Sequence, residues 1–321
     1  MLGLKESCTE NTTESNVTGS FGWMADFGEY VPFDAVLHDG SPASTIHNRF
    51  PELWAKVNRD AVGDNDDVVY FMRSASLKSP GLARMFWAGD QLVSWDDHDG
   101  LKTVIRAHMS AGMSGMTISH SDCGGYTMIN KTKNIHLPFT SNVTINVGLK
   151  YLRTKQLLMR WMELSAFADT VLRTHLGNLP SDSWQVYSDN ETMSHFATFT
   201  RVHSALAEYR EKLMKDAACC GYPLVRHSYI VYPDDLQTRT LTDQFFLGDE
   251  LLVAPVLDKD TKYVTVYHPE NGTRWTHVWN ENIYVGGSYV NVSADFGEPA
   301  VFHRTLSIEG IELGRKIRGA L

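Results

Sequence analysis

The 321-residue chain lacks several patterns by which other classes of protein are recognised. No apolar stretch approaches the roughly 20 residues that a membrane-spanning helix needs, so no membrane span is expected. The net charge is −9, from 29 basic and 38 acidic residues, and no block of Lys and Arg is present. This balance argues against a nucleic-acid partner. The four cysteines show no C-x-x-C spacing, so a zinc or redox motif is not indicated.

The motifs of several large enzyme classes are also missing. There is no H-E-x-x-H, no G-x-S-x-G and no Walker loop, and Gly124-Gly125 lacks the spacing of a dinucleotide-binding motif. His120 and Asp122 could ligate a metal, but two ligands without a third make a weak site. The sequence therefore gives no indication of a metal centre or a dinucleotide cofactor.

Residues 1–20 are polar and predict a disordered leader, without the basic and apolar regions of a signal peptide. Yet the chain carries more N-x-[ST] sequons than the roughly two or three expected by chance. The excess favours the secretory pathway, lysosomal or extracellular, for a protein whose true N-terminus is missing. The alternative is a cytoplasmic protein with chance sequons. The sequons begin at Asn11, Asn16, Asn130, Asn142, Asn190, Asn271 and Asn291.

From residue 21 onward, short β-rich runs that end in polar residues alternate with helical stretches, which predicts βα units and a parallel sheet. About five units are visible, fewer than a closed eight-stranded barrel requires. The predicted strands are 22–26, 68–74, 84–90, 115–122 and 225–232. The predicted helices are 46–58, 98–110, 151–174 and 191–218.

Two other segments differ from this alternation. Residues 130–146 show little periodicity and predict an exposed inserted loop that could cap a site. After about residue 243 the chain becomes β-rich, with Gly and Pro turns. We therefore expect a leader (1–20), a partial (β/α)8 catalytic barrel (21–245) with an insertion around 130–147, and a β-rich C-terminal domain (246–321).

Asp26 and Asp90 each stand where a predicted strand gives way to a loop, beside Trp and Gly. Asp is a poor strand residue and is costly to bury unpaired, so this placement needs a reason. In glycoside hydrolysis one carboxylate is ionised to attack the anomeric carbon, and a second is protonated to release the leaving oxygen. The alternative is that each Asp caps a helix or bonds turn amides. Spacing alone does not decide between these interpretations.

Three more polar residues follow predicted strands or helices. Arg73 could hold a carboxylate or a substrate hydroxyl, and His175 could donate to a sugar oxygen. Asp122 precedes two glycines that allow a close approach of the backbone. Each also fits a structural role, namely a buried ion pair, a core histidine and a loop turn. Their shared location at the ends of elements favours the functional interpretation.

Five ordered motifs, between about residues 22 and 304, resemble glycoside hydrolase family 31. They are residues 23–30 (WMADFGEY), 87–91 (WAGDQ), 120–127 (HSDCGGYT), 173–175 (RTH) and 251–256 (LLVAPV). The first motif is most similar to the sulfoquinovosidase branch of the family. The resemblance implies a retaining α-glycosidase that needs no metal or organic cofactor and acts on a carbohydrate or glycoside substrate. The implied fold is α/β, the C-terminal portion of a (β/α)8 TIM barrel followed by a small β-sandwich domain.

Carried over motif by motif, the resemblance implies that Asp26 is the nucleophile and Asp90 the general acid and base. Other residues would hold hydroxyls, orient the carboxylates or shape the pocket wall. These are Trp23, Glu29, Arg73, Trp87, Asp122 and His175.

In the sulfoquinovosidase branch a Tyr of the G-G-Y-T segment, here Tyr126, helps to hold the sulfonate. The Arg and Trp that assist it lie upstream of the nucleophile strand, where this chain has only the polar leader. Because the nucleophile normally follows the fourth barrel strand, we also expect an N-terminally truncated fragment. The alternatives are an α-glucosidase or α-galactosidase, or an inert carbohydrate-binding relative. The sequence does not indicate an oligomeric state.

Overall fold

The computed structural model describes residues 21–321 except 64, 66 and 137–143. The expected leader, and the sequons at Asn11, Asn16 and Asn142, lie outside the described residues. The other four sequon asparagines are exposed. Their glycosylation and a secretory location stay predictions. Within the described part of the chain, no helix has the length and apolar character needed to cross a membrane.

Four short strands form a parallel sheet in chain order. They are β1 (Gly22–Ala25), β2 (Val69–Met72), β3 (Met85–Trp87) and β4 (Ser119–His120). The segment after residue 169 continues the same direction, because the Thr170 amide donates to the Ser119 carbonyl (3.0 Å) and Cys123 pairs in parallel with Thr174. The four predicted strands of this region are confirmed, each shorter than its apolar run.

Helices separate β1 from β2 and β3 from β4, and three more follow β4. They are α1 (Phe50–Val62), α2 (Leu101–Met113), α3 (Lys155–Ala168), α4 (Asn190–Ala205) and α5 (Ala207–Cys220). The Thr154 side chain caps α3, and every residue from Leu157 to Ala168 is buried. The predicted helix 151–174 therefore stops early, because the chain returns to the sheet. The predicted helix 191–218 is two helices that meet at the buried Leu206.

The described parts of the segment 130–146 are strands and not an irregular loop. Strands β5 (Ile129–His136) and β6 (Thr144–Tyr151) pair antiparallel as a hairpin, with Ile129 opposite Tyr151. The prediction of an irregular loop was wrong for these strand residues, because polar Lys, Thr and Asn residues hide the strand pattern in the sequence. The described side chains of Lys131, Thr132 and Leu149 are exposed, as expected of a hairpin that projects from the surface.

The C-terminal part is a β-sandwich. Its strands are β7 (Val225–Arg226), β8 (Phe245–Leu247), β9 (Leu251–Ala254), β10 (Tyr263–His268), β11 (Arg274–His277), β12 (Ile283–Val285), β13 (Ser288–Ser293) and β14 (Ala300–Arg304). One antiparallel sheet has the order β12-β11-β14-β9-β8-β7, and the second pairs β10 with β13. Phe246, Leu252 and Trp275 of the large sheet pack with Val266 and Val292 of the small one.

The predicted strand 225–232 is wrong in its length and in its sheet. Only Val225–Arg226 is extended, and it pairs antiparallel with β8 instead of joining the parallel sheet. A short helix, α6 (Ser228–Val231), follows it. The sandwich sheet therefore begins well before residue 246, the expected start of the C-terminal domain.

The barrel portion and the sandwich share one core, which the last helix, α7 (Ile308–Arg318), completes. An ion pair on α3 adds polar bonds to this junction, since Arg160 Nη1 donates to Glu163 Oε2 (2.7 Å). Arg160 Nη2 also donates to the Ala294 carbonyl (2.7 Å), and Glu163 Oε1 accepts from the Gly297 amide (2.8 Å). Both side chains of the pair are 1% exposed. Helix α3 is thereby joined to the loop before β14.

We predict that Glu163→Leu lowers the free energy of unfolding by about 3 kcal/mol or more, because it leaves a buried guanidinium without its counter-charge. Urea denaturation measures the change. The matched control is Glu211→Leu, since Glu211 pairs with Lys215 on an exposed face of α5. This control should cost less than about 1 kcal/mol. Equal effects of the two substitutions would contradict the assignment.

Candidate active site

The carboxyl ends of the four parallel strands bring together most of the polar residues singled out in the sequence. Asp26 follows β1, Arg73 follows β2, Asp90 follows β3 after a two-residue turn, and Asp122 follows β4. Parallel strands point the same way, so their carboxyl ends share one edge of the sheet. Residues distant in the chain therefore meet.

Arg73 lies at the centre of this edge and is mostly buried. Its Nε donates to Glu29 Oε1 (2.9 Å), and Nη2 contacts the same oxygen. Its Nη1 lies 3.2 Å from Asp26 Oδ1 and 4.0 Å from Asp90 Oδ2. The guanidinium also packs over the Phe27 ring, at 4.6 Å from its centroid. One cation thus contacts three carboxylates and brings the two candidate catalytic groups to the same nitrogen.

The turn after β1 is held tightly in an unusual backbone conformation. Phe27 has a φ of +59°, and its amide donates to Asp26 Oδ1 (2.7 Å). Trp54 Nε1 donates to the Asp26 carbonyl (3.1 Å), and Ser74 Oγ donates to the Phe27 carbonyl (2.8 Å). At Gly28 (φ +91°) a Cβ would lie 2.4 Å from the Trp54 ring. The motif therefore fixes the Asp26 carboxylate, whose Oδ2 makes neither the Phe27 nor the Arg73 contact.

Asp90 sits in a different environment. Burial raises the pKa of its carboxyl and the Asp26 charge adds to this, whereas Arg73 and His175 oppose it. Its backbone is also fixed, because Thr127 Oγ1 donates to the Asp90 carbonyl (2.7 Å). The shift favours the protonated form that a general acid needs.

Asp122 pairs with Arg173, and the pair lies beside the Phe71 ring. Arg173 Nη2 donates to Asp122 Oδ1, and its guanidinium lies 5.6 Å from the Phe71 ring centroid. Asp122 is 1% exposed, and burial raises the pKa of its carboxyl while Arg173 opposes this. The pair presents charged hydrogen-bonding groups next to Asp90.

His175 is half-buried, with its ring edge-on to Tyr126 at 5.0 Å between centroids. Its Nδ1 accepts from the Gly177 amide (2.9 Å), so the neutral ring carries its proton on Nε2. Burial lowers the pKa of His175. Asp122 opposes the shift, and the charges of Arg173 and Arg153 add to it. The ring is therefore a neutral donor through Nε2.

The two candidate wall tryptophans differ in position. Trp87 is 4% exposed and meets the Phe71 ring edge-on (5.3 Å), and its Nε1 has no hydrogen-bond partner among the described residues. Trp23 instead stacks on Tyr70 (5.7 Å), and its Nε1 donates to Asn58 of α1 (2.9 Å). The structure brings Trp87 to the site and places Trp23 in the cluster between β1 and α1.

Sequence reasoning missed a buried network that holds the residue next to Asp122. Asp169 is fully buried and accepts from the Ser121 amide (2.9 Å) and from Ser121 Oγ (3.0 Å). Ser121 Oγ in turn accepts from Trp161 Nε1 (3.0 Å), and His108 Nε2 lies 3.3 Å from Asp169 Oδ1. Burial raises the pKa of Asp169 to about 7. Arg153 and Asp169 are single polar residues outside the five motifs, and no spacing signals them.

No group of three or more His, Cys, Asp or Glu side chains that could hold a metal occurs within residues 21–63, 65, 67–136 and 144–321. The polar groups at the strand ends are carboxylates already engaged by arginines. The arrangement suits acid, base and nucleophile chemistry on a polar ligand.

Two family models match the chain. The TIM-barrel domain of glycosyl hydrolase family 31 matches residues 5–214, and the C-terminal domain of the same family matches residues 221–308.

Three known proteins are similar in sequence to nearly the whole length of this chain. A sulfoquinovosidase from Escherichia coli K12 is 40% identical over 94% of the chain, and one from Agrobacterium fabrum is 38% identical over 89%. A solved sulfoquinovosidase from E. rectale, in complex with an aza-sugar inhibitor, is 36% identical over 98% of the chain, with a TM-score of 0.86. The chain spans 41%, 40% and 44% of the lengths of these three proteins.

We predict opposite shifts of the Asp90 pKa when its two charged neighbours are changed. Arg73→Met should raise it, because a stabilising positive charge is lost, and Asp26→Asn should lower it, because a repelling negative charge is lost. Carboxyl carbon-13 NMR titration measures both. The control is Lys102→Met, since Lys102 pairs with Asp97 and Asp258 away from the site. Shifts of the same sign in Arg73→Met and Asp26→Asn would contradict the arrangement.

A second prediction concerns stability and pH. The pKa of Asp169 is raised on folding, so its stabilising contribution is present below about pH 4 and is lost as the pH rises through about 7. In Asp169→Asn the amide oxygen still accepts from Ser121 and nothing ionises. The free energy of unfolding of the variant, relative to that of the unmodified protein, should rise by at most about 1.4 kcal/mol per pH unit across this range. Urea denaturation from pH 4 to 8 measures the difference, and a constant difference would contradict the prediction.

Proposed function

Because the chain belongs to glycosyl hydrolase family 31, we propose that its site is that of a retaining α-glycosidase that acts on α-sulfoquinovosides. The observation that carries the proposal is the placement of Asp26 and Asp90 within 4.0 Å of one Arg73 nitrogen. The names of the relatives that are 36–40% identical support the substrate class.

In the first step Asp26 acts as the nucleophile. Its Oδ2, which makes neither of the contacts of Oδ1, attacks the anomeric carbon and forms an ester bond to the sugar. The bond from this carbon to the aglycone oxygen breaks, and Asp90 gives its proton to that oxygen. The raised pKa of Asp90 supports this role, because the carboxyl keeps its proton more readily than an exposed Asp.

In the second step Asp90, now ionised, takes a proton from water. The water oxygen attacks the anomeric carbon, and the bond to Asp26 breaks, which restores both carboxyl groups. Arg73 stabilises the Asp26 carboxylate in each state in which it is free, and Glu29 holds Arg73 in place.

The sugar would be held by groups that surround this pair. Asp122 can accept from a hydroxyl, and His175 Nε2 and Trp87 Nε1 can each donate to one. A buried donor without a partner is costly, and a sugar hydroxyl would satisfy Trp87. Tyr126 is the candidate for a sulfonate contact, because its phenolic hydroxyl can donate to a sulfonate oxygen.

We expect a fluorinated α-sulfoquinovosyl inactivator to attach covalently to Asp26. Mass spectrometry of the digested protein should find the label there, and Asp26→Asn should abolish it. Substitution Asp90→Asn should slow hydrolysis of a substrate with a poor leaving group by about 100-fold or more, and slow a nitrophenyl glycoside much less. Labelling at another residue would contradict the role of Asp26.

Substrate class is tested separately, by comparing nitrophenyl α-sulfoquinovoside with nitrophenyl α-glucoside. A kcat/KM that favours the sulfonated sugar, and loses that preference in Tyr126→Phe, supports the proposal. Preference for the glucoside would favour the α-glucosidase alternative. Binding of either sugar without hydrolysis or labelling would favour the inert carbohydrate-binding alternative.

A further inference from the structure

Arg153 is buried beneath the loops that carry Tyr126 and His175, two residues before the start of α3, and is 3% exposed. All five N–H groups of its guanidinium are used, each on a different oxygen. Nε donates to the Trp184 carbonyl (2.9 Å), Nη1 to the carbonyls of Gly125 (3.1 Å) and His175 (2.7 Å), and Nη2 to the Leu176 carbonyl (3.2 Å) and Gln185 Oε1 (2.6 Å).

These acceptors belong to three segments that are separate in the chain. Gly125 precedes Tyr126 in the loop after β4, His175 and Leu176 follow the extended segment after α3, and Trp184 and Gln185 precede α4. Arg153 is therefore the point at which the loop of Tyr126 and the loop of His175 are joined to each other and to the base of α4.

Within the part of the chain that the structure describes, no carboxylate forms an ion pair with Arg153. Burial lowers the pKa of its guanidinium. A buried cation without a counter-ion persists only where its hydrogen bonds are complete, so the five acceptors must stay in place together.

The local sequence leaves room for this side chain. At Gly124 (φ +96°) a Cβ would lie 2.9 Å from Arg153 Nη1 and 2.7 Å from Leu158. Lysine could not replace the arginine, because its ammonium has three donors and no planar fork. The first glycine of the G-G-Y-T segment thus makes space for the guanidinium that bonds the second.

We propose that Arg153 is a positioning residue that sets the placement of Tyr126 relative to His175, and with it the shape of the sugar pocket. The roles of Tyr126 and His175 in binding rest on the proposed function, but their placement can be tested without a substrate. The two rings contact each other edge-on, so a shift of either loop would change the position of both rings.

The first test is amide hydrogen exchange in the full chain. In Arg153→Lys, at least two of the five bonds are lost, so the protected amides of both loops should exchange about tenfold faster or more. The reporters are the amides of Gly125, which donates to the Asp122 carbonyl, and of Asn178, which donates to the Tyr126 carbonyl. The matched control is Arg160→Lys, another buried arginine that donates to carbonyls. It should speed exchange at 294–297 and leave both reporters unchanged.

The second test is the NMR titration of His175, which reports on the charge of Arg153 and on its placement beside the ring. Asp122, Asp90, Arg173 and Arg153 all act on this ring. Arg153→Met removes one positive charge and should raise the His175 pKa, whereas Arg153→Lys keeps the charge and should raise it less.

Unchanged exchange at both reporters in folded Arg153→Lys would overturn the proposal. Faster exchange spread equally over the β-sandwich would do so too, because it would indicate general destabilisation. If Arg153→Met does not fold, Arg153→Lys still decides through exchange. A chain that hydrolyses no glycoside would contradict the proposed function and leave these results standing.

Discussion

The candidate site depends on one cation shared among three carboxylates. Without Arg73, the charges of Asp26, Glu29 and Asp90 would gather at the ends of neighbouring strands and repel one another. The guanidinium contacts Asp26 at 3.2 Å and Asp90 at 4.0 Å, so the two carboxylates are stabilised unequally. This inequality, together with burial, gives the two aspartic acids the unlike environments that the proposed nucleophile and the proposed proton donor need.

Buried arginines perform the corresponding task for the backbone. Arg153 joins the loop of Tyr126 to the loop of His175, and Arg160 joins α3 to the sandwich. Arg210 donates to the carbonyls of Ala166 and His203 where α3 ends. In each case a guanidinium donates to carbonyls in loops or at helix ends. Buried backbone carbonyls need a donor, and these arginines supply one from the side chain.

The outcome of the sequence predictions follows from how local each signal is. Strands β1 to β4 were found because apolar runs that end in Asp or Arg are local patterns. The hairpin of β5 and β6 was missed because its polar side chains show no apolar alternation. Residues 225–232 look like one strand, but Val225 pairs with Leu247 of the sandwich. A short apolar run in the sequence does not show which strand it will pair with. Trp23 was assigned to the pocket wall because it adjoins the motif, whereas its ring stacks on Tyr70 beside α1.

By itself, the sequence determined which residue types stand at the strand ends, and its ordered motifs determined the family. The placement of Asp26, Asp90, Asp122 and His175 follows from these patterns, because parallel strands align their carboxyl ends. Only the tertiary structure decided which charges touch, since the environments of Asp26 and Asp90 depend on distances to Arg73. It alone identified Arg153, because a buried arginine bound to carbonyls leaves no pattern in the chain. Motifs record chemistry that is local, whereas electrostatic environments and loop placement arise from contacts between distant segments.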